Sequence, residues 1–168
     1  METLKKAIAN RQYFPETKLH SYVVHNESEI KGFFGPYRFL SNFQLCPNGI
    51  WYEGLKFPST EHAYQAAKVP MDERDPFISC NCRDVKRLGG VVEVSKEVWD
   101  AKKYNVMSQL VLQKFATDEE LRDKLIATGN AYLEETNHWQ DKTWGVCNGV
   151  GTNWLGKILM SVRGFWMS

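Results

Sequence analysis

The sequence predicts an α+β fold, helix-dominant, in a single domain with a small β-sheet. Three observations carry this expectation. Helical hydrophobic patterns outnumber and outlast the strand-like ones. No Pro-, Gly- or Ser-rich linker, internal repeat or low-complexity stretch divides the chain. Its 168 residues, 43% hydrophobic and 24% charged, have ordinary globular usage and suffice for one buried core.

The elements follow in order. Met1–Asn10 reads as a short helix with Leu4, Ala7 and Ile8 on one side, and Leu19–His25 as a strand. Gly32–Phe43 holds two glycines, a proline and five aromatics, and reads as a structured loop. Pro47-Asn48-Gly49 reads as a turn leading into a strand over Ile50–Phe57. Pro58-Ser59-Thr60 opens a helix that runs to about Lys68 and stops before Pro70. Ser59 or Thr60 caps it, and Glu61 suits its positive end. Met71–Leu88 reads as short helical pieces ending at Gly89-Gly90, and Ser95–Phe115 as the longest helix. Asp118–Thr128 is a further helix, with Thr117 as cap and Gly129 as stop. Ala131–Glu135 reads as a strand and Asn137–Gly151 as a polar loop. Thr152 or Asn153 then caps a last helix through about Val162.

Charge and cysteine usage narrow the function. With 21 basic and 20 acidic side chains the formal net charge is +1, and the only basic stretch is Arg83, Lys86, Arg87. Binding along a duplex needs many clustered Lys and Arg, so a local phosphate pocket fits better. Cys80 and Cys82 lack zinc-knuckle spacing, and Cys46 and Cys147 stand alone. His20, His25, His62 and His138 show no metal-ligand spacing. Met1–Arg11 is charged and lacks the apolar core of a signal peptide, and no apolar run reaches the length of a membrane span. The expectation is a cytoplasmic protein with reduced thiols, no metal and no membrane partner.

Three segments carry candidate chemistry. In Phe57–Lys68, Glu61 and Lys68 are seven apart and share a helix face to within roughly 20°. Tyr64 and Gln65 lie between them. That face offers a carboxylate, a phenol, an amide and an amine, although spacing alone favours a capped helix with a polar stripe. In Asp141-Lys142-Thr143-Trp144-Gly145 a carboxylate precedes an aromatic in a glycine-bearing loop, which suits either a ligand site or a plain Asx turn. Gly149–Lys157 leads into a helix start that could meet an anion, or is simply a turn before a cap.

Taken in order, several segments make the chain resemble a known family. They are Gly35-Pro36-Tyr37-Arg38-Phe39-Leu40-Ser41-Asn42-Phe43, the Phe57–Lys68 block, and Trp99-Asp100-Ala101-Lys102 with Met107 and Lys114-Phe115. Thr128-Gly129, Leu133-Glu134-Glu135, Asp141–Gly145, and Gly151–Met160 with Arg163 complete them. The chain resembles the NADAR superfamily, whose best-known branch is the YbiA-like N-glycosidases. The likeness covers roughly Phe33 to Arg163. It implies a YbiA-like catalytic domain over residues 31–168, with residues 1–30 as an N-terminal extension packed on it. The family's segment before the long helix carries a Gly-Arg pair after its Leu. This chain has Leu88-Gly89-Gly90, leaving Arg83 or Arg87 to substitute.

The resemblance implies a ribose phosphate or ADP-ribose ligand, cleavage of a bond between ribose C1 and nitrogen, and no metal or redox cofactor. Breaking that bond builds positive charge at C1. Glu61 and Asp141 become the candidate carboxylates that stabilise it or activate water. Lys68 binds phosphate or attacks C1 as an amine. Trp99 and Trp144 are candidates to sandwich a base or sugar, with Tyr64 beside them. Arg38, Asn42, Asn153, Lys157 and Arg163 are candidates to hold phosphate or hydroxyl groups. Three readings follow. The first is an N-glycosidase acting on a small ribosyl phosphate, such as an early riboflavin-pathway intermediate. The second is a hydrolase removing ADP-ribose from guanine, for which ADP-ribosylated nucleic acid is the partner. The third is a non-catalytic ADP-ribose or nucleotide sensor. The near-neutral charge favours the first over the second, and the trio Glu61, Lys68 and Asp141 argues against the third.

Overall fold

The computed structural model of the protein describes residues 24–168. The predicted helix Met1–Asn10, His20 and most of the predicted strand Leu19–His25 lie outside that range. The described residues cluster into two compact units, one of residues 45–114 and one of residues 24–44 with 115–168. The fold class is α+β with helix dominant, and among the described residues the strands are shared among three small sheets.

The first unit opens with an antiparallel hairpin of β3 (Leu45–Tyr52) and β4 (Leu55–Ser59). The sequence suggests a single strand here. The chain instead reverses at Glu53-Gly54, where both residues have positive φ, 45° and 80°. A two-residue hairpin turn whose twist matches the strands requires that conformation. Glu-Gly is a weaker signal for it than Asn-Gly. Pro47-Asn48-Gly49, read as a turn before the strand, lies inside β3 where the register shifts between Leu45 and Ile50. The outer edge is covered by a side chain: Gln113 Oε1 accepts from the Trp51 amide, and Gln113 Nε2 donates to the Trp51 carbonyl.

Helix α1 (Thr60–Ala66) follows directly. Ser59 caps it, its Oγ accepting from the His62 amide, and all seven of its residues are buried. So short a helix has little intrinsic stability and is held by packing. It packs against β3 and β4, α2 (Asp75–Ser79) and α3 (Cys82–Val91). Asn81 caps α3 by accepting from the Arg83 and Asp84 amides, both at 3.0 Å. The helix runs through Gly89-Gly90 rather than ending there. Helix α4 (Lys96–Thr117) is the longest, as the sequence predicts, and its part up to Lys114 belongs to this unit. Arg74, 4% exposed, ties the unit together. Its Nε donates to the Ala66 and Val69 carbonyls, and its Nη2 lies 2.8 Å from Glu53 Oε2. The end of α1 is thereby fixed to the hairpin turn.

In the second unit β1 (Val24–His25), β2 (Glu29–Lys31) and β5 (Tyr132–Glu134) form a sheet in the order β1-β2-β5, with β2 and β5 parallel. The aromatic-rich loop after β2 contains a 3-10 helix over Gly35–Leu40. Helix α5 (Glu119–Ala127) is capped by Asp118, whose Oδ1 accepts from the Leu121 amide at 3.0 Å, so the cap lies one residue beyond Thr117. Gly129, at φ 57°, stops it as expected. The polar loop contains two short strands, β6 (Thr136–Asn137) and β7 (Val146–Cys147), paired in parallel. Helix α6 (Trp154–Met167) packs on β5 and α5 and runs past the predicted end at Val162.

Candidate active site

In the first unit, α1 places Glu61 in its first turn, 6% exposed. A buried carboxylate is costly unless it is hydrogen-bonded. Glu61 Oε1 accepts from Gln65 Nε2 at 2.7 Å, one turn later on the same face. The other Gln65 amide atom, Oε1, is buried with no hydrogen-bond partner among the described residues. It lies against Gly89 of α3, where a Cβ would sit 1.7 Å from it. Only glycine permits this approach, so Gly89 sets the orientation in which Gln65 serves Glu61.

Lys68 follows α1 and is half-buried. Its ammonium donates to the Gly89 carbonyl at 2.7 Å, in the last turn of α3, where a cation suits the helix end. Burial pushes the Lys68 pKa below its ordinary value, Glu61 partly opposes this, and Lys86 adds to the lowering. Trp99 of α4 is 8% exposed. Its ring centroid lies 5.1 Å from that of Tyr64, 5.8 Å from Lys68 Nζ and 5.5 Å from Lys102 Nζ. Thus Glu61, Tyr64, Lys68 and Trp99 belong to one connected group in this unit. Trp99 is enclosed rather than open as a stacking platform.

His62 has an architectural task. Its Nε2 lies 3.1 Å from the Cys80 carbonyl, which can only accept, so Nε2 carries the proton. Nδ1, 2.7 Å from Ser59 Oγ, then accepts from that hydroxyl. Burial lowers the His62 pKa, although the bond to Cys80 opposes it. The neutral ring therefore joins the start of α1 to the end of α2. Burial also pushes the Cys80 thiol up to about 11, which makes it a poor nucleophile at neutral pH.

The second unit holds the remaining candidates. Asp141 forms an Asx turn: its Oδ1 accepts from the Thr143 and Trp144 amides at 3.1 and 2.9 Å. Asn137 braces the same loop, donating from Nδ2 to the Asp141 carbonyl and accepting at Oδ1 from the Asp141 amide. The turn leaves Oδ2 uncommitted by these bonds. Trp144 is half-buried and meets Trp154 edge-on at 5.5 Å.

Asn153 precedes α6 with φ 53°, yet its side chain does not cap that helix. It accepts from the Glu135 amide and donates to the Leu133 carbonyl and the Tyr132 hydroxyl. Both amide hydrogens are therefore used in fixing the loop to β5. Gly156 permits this closeness, because a Cβ there would sit 2.1 Å from the Leu133 carbonyl oxygen. Arg163 is buried and donates to Thr128 Oγ1 at 2.8 Å, and burial lowers its pKa. Asn42 is buried, while Arg38 and Lys157 are exposed. Arg87, the proposed stand-in for the missing family arginine, is paired with Asp84 at 2.6 Å. Among the described residues no group of three His, Cys, Asp or Glu side chains could hold a metal ion. No helix among them is long and apolar enough to cross a membrane.

The sequence reading names Lys102 and Gly89 but gives neither a role in this group. Lys102 was legible from its spacing, three residues after Trp99 and so on one helix face. Gly89 was not, since its importance depends on a contact between two helices.

Comparison with known proteins places the chain in a family. Residues 25–165 match the family model described as the NADAR domain. An N-glycosidase of Nostoc punctiforme is 34% identical over 145 residues, which is 76% of this chain and 85% of that protein. A riboflavin biosynthesis protein of Vibrio vulnificus is 34% identical over 129 residues, and the match spans 74% of this chain but only 34% of the larger protein. The N-glycosidase YbiA of Escherichia coli is 31% identical over 134 residues, 73% of this chain and 78% of that protein. Its NMR structure superposes with a TM-score of 0.72 at 28% identity, covering 89% of this chain and 90% of that one. By its family match, its similarity to these relatives and its fold, the chain belongs to the NADAR family.

Proposed function

We propose that this protein hydrolyses the bond between C1 of a ribosyl phosphate and an amine nitrogen, with Glu61 as the carboxylate that acts at C1. As a NADAR-family chain similar to proteins named N-glycosidases, it is a hydrolase of N-glycosyl bonds. The ribosyl phosphate substrate is the further step. The similarity to a riboflavin biosynthesis protein supports a small ribosylamine phosphate.

The observation that carries the reading is the buried Glu61 carboxylate, oriented by Gln65 at 2.7 Å. In the reaction a water oxygen bonds to C1. The C1–N bond breaks with its electron pair going to nitrogen, and the water proton ends on the leaving amine. An oriented carboxylate stabilises the positive C1 and takes the proton from water on its way. Lys68 supplies an ammonium beside that centre. In an alternative route its lowered pKa makes the free amine more accessible: Nζ bonds to C1 as the C1–N bond breaks, the Nζ proton passes to the leaving amine, and water then cleaves the C1–Nζ bond and restores Lys68. Asp141, its Oδ1 engaged in its own turn, is the second candidate carboxylate through Oδ2.

The test is to incubate the purified protein with a ribosylamine 5-phosphate and, separately, with ADP-ribosylated guanine in single-stranded DNA, and to detect free ribose 5-phosphate or ADP-ribose. Release from the first substrate supports the reading. Release from the second alone moves the substrate to nucleic acid. Release from neither, with ligand binding retained, makes the protein a sensor.

A further inference from the structure

We infer that Gln65 is a positioning residue that keeps Glu61 ionised, and that Gly89 of α3 locks it in that task. The inference deepens the reading above and rests on Glu61 being the carboxylate that acts at C1. Gln65 is 6% exposed, and its Nε2 donates to Glu61 Oε1 at 2.7 Å. An amide has one donating and one accepting end, whereas an ionised carboxylate only accepts. With Nε2 on Glu61, Gln65 Oε1 is buried without a hydrogen-bond partner among the described residues. An unmet buried acceptor destabilises, and a bond to a charged group is the strong kind that offsets it. The amide turned the other way would set its oxygen against a carboxylate oxygen, and would serve only a protonated Glu61. The side chain is therefore committed to the ionised form.

Gly89 fixes the choice. A Cβ there would sit 1.7 Å from Gln65 Oε1, 2.5 Å from its Cδ and 2.9 Å from its Cβ, so glycine alone leaves room for the amide. The carbonyl of the same residue accepts from Lys68 Nζ at 2.7 Å. One residue thus sets Lys68 directly and Glu61 through Gln65. The charge of Glu61 acts on Lys68, and a Glu61 deprived of its donor would take a proton more readily and lose its hold on C1. Other acid-range groups on the elements around α1 have their own surroundings. Glu53 pairs with Arg74, Asp84 pairs with Arg87, and Asp75 of α2 is exposed. His62 uses both ring nitrogens on Cys80 and Ser59. The further cations are Lys56 of β4, Arg83 and Lys86 of α3, and Lys102 of α4, which donates to the Ala67 carbonyl.

The test is made on the full chain. The Glu61 side-chain carboxyl is followed by carbon-13 NMR from pH 8 to pH 4, its signal assigned by its loss in Glu61→Gln. The proteins compared are the wild type, Gln65→Met, which fills the space without a donor, and Gly89→Ala, which moves the amide without removing it. In both variants Glu61 should take its proton at a pH higher by about 1–2 than in the wild type. Gly90→Ala should titrate as the wild type does. On a ribosylamine 5-phosphate that the wild type cleaves, kcat of Gln65→Met should fall about tenfold at the acid end of the profile and recover as pH rises, with KM kept. A purely structural role would lower melting and leave the titration where it was. An unchanged titration in folded Gln65→Met, or in Gly89→Ala should the first not fold, overturns the inference whatever the turnover. A moved titration with no cleavage of any N-ribosyl substrate keeps the task of Gln65 and defeats the N-glycosidase reading. A moved titration with an unmoved kcat profile keeps that task and removes Glu61 from C1.

Discussion

At the scale of the residue, the sequence locates groups better than it assigns their tasks. Glu61 follows Pro58-Ser59-Thr60, and that start signal alone puts it in the first turn of a helix. What the sequence does not reveal is that its partner is Gln65, since a polar stripe and a buried hydrogen-bonded pair have the same spacing. Asn153 was legible as a helix start, but its side chain serves β5, a partner some twenty residues away. His62 gives a testable consequence. Its folded pKa lies below the ordinary value of 6.5, so below that pH the unfolded chain takes a proton that the folded ring resists. Stability should therefore fall as pH drops from about 6.5 through the lower folded value. His62→Gln can keep both hydrogen bonds and should flatten that dependence by one proton, as read from melting temperatures between pH 7 and pH 4. An equally steep fall in the variant would assign it to other groups. The two tryptophans should also separate. Trp99→Ala should cost about 3–5 kcal/mol of stability, because the indole is enclosed. Trp144→Ala, at a half-buried loop site, should leave melting nearly unchanged and cost about 1–3 kcal/mol in ligand binding if that ring stacks.

At the scale of the element, long periodic helices are readable and short compensated ones are not. Helix α4 is close to its predicted span because an amphipathic pattern of that length has few alternatives. The hairpin was merged into one strand because its turn is Glu53-Gly54, and its edge is covered by Gln113 from a distant helix. The glycines of α3 show how one motif splits into two roles. A Cβ at Gly89 would overlap Gln65, whereas one at Gly90 meets nothing within 4 Å. Gly89→Ala should therefore displace Gln65 from Glu61, cost about 1–3 kcal/mol of stability and lower turnover. Gly90→Ala should raise stability by up to about 1 kcal/mol through helix propensity, with turnover unchanged. Thermal melts and kinetics on the pair check this. The same loss in both variants would remove the contact from the account.

At the scale of the whole molecule, family membership was legible because specific segments recur in a fixed order, and the helix-dominant α+β class follows from the balance of periodic patterns. The division into two compact units was not, since the chain enters and leaves them without any linker signature. The proposed chemistry uses carboxylate, amine and water, so turnover should survive a chelator. Loss of activity in EDTA, restored by zinc or magnesium, would contradict that expectation. The central claim is that the Glu61 charge acts at C1. Glu61→Gln keeps the size and the reach to Gln65 but removes the charge. The deciding measurement is kcat of a folded Glu61→Gln protein on a ribosylamine 5-phosphate that the wild type cleaves, with melting recorded alongside. The account predicts a fall of about 10²–10⁴-fold with the fold retained. Wild-type turnover in that variant, with no more than the loss of about 0.3–1 kcal/mol expected from a helix-end charge, would contradict it.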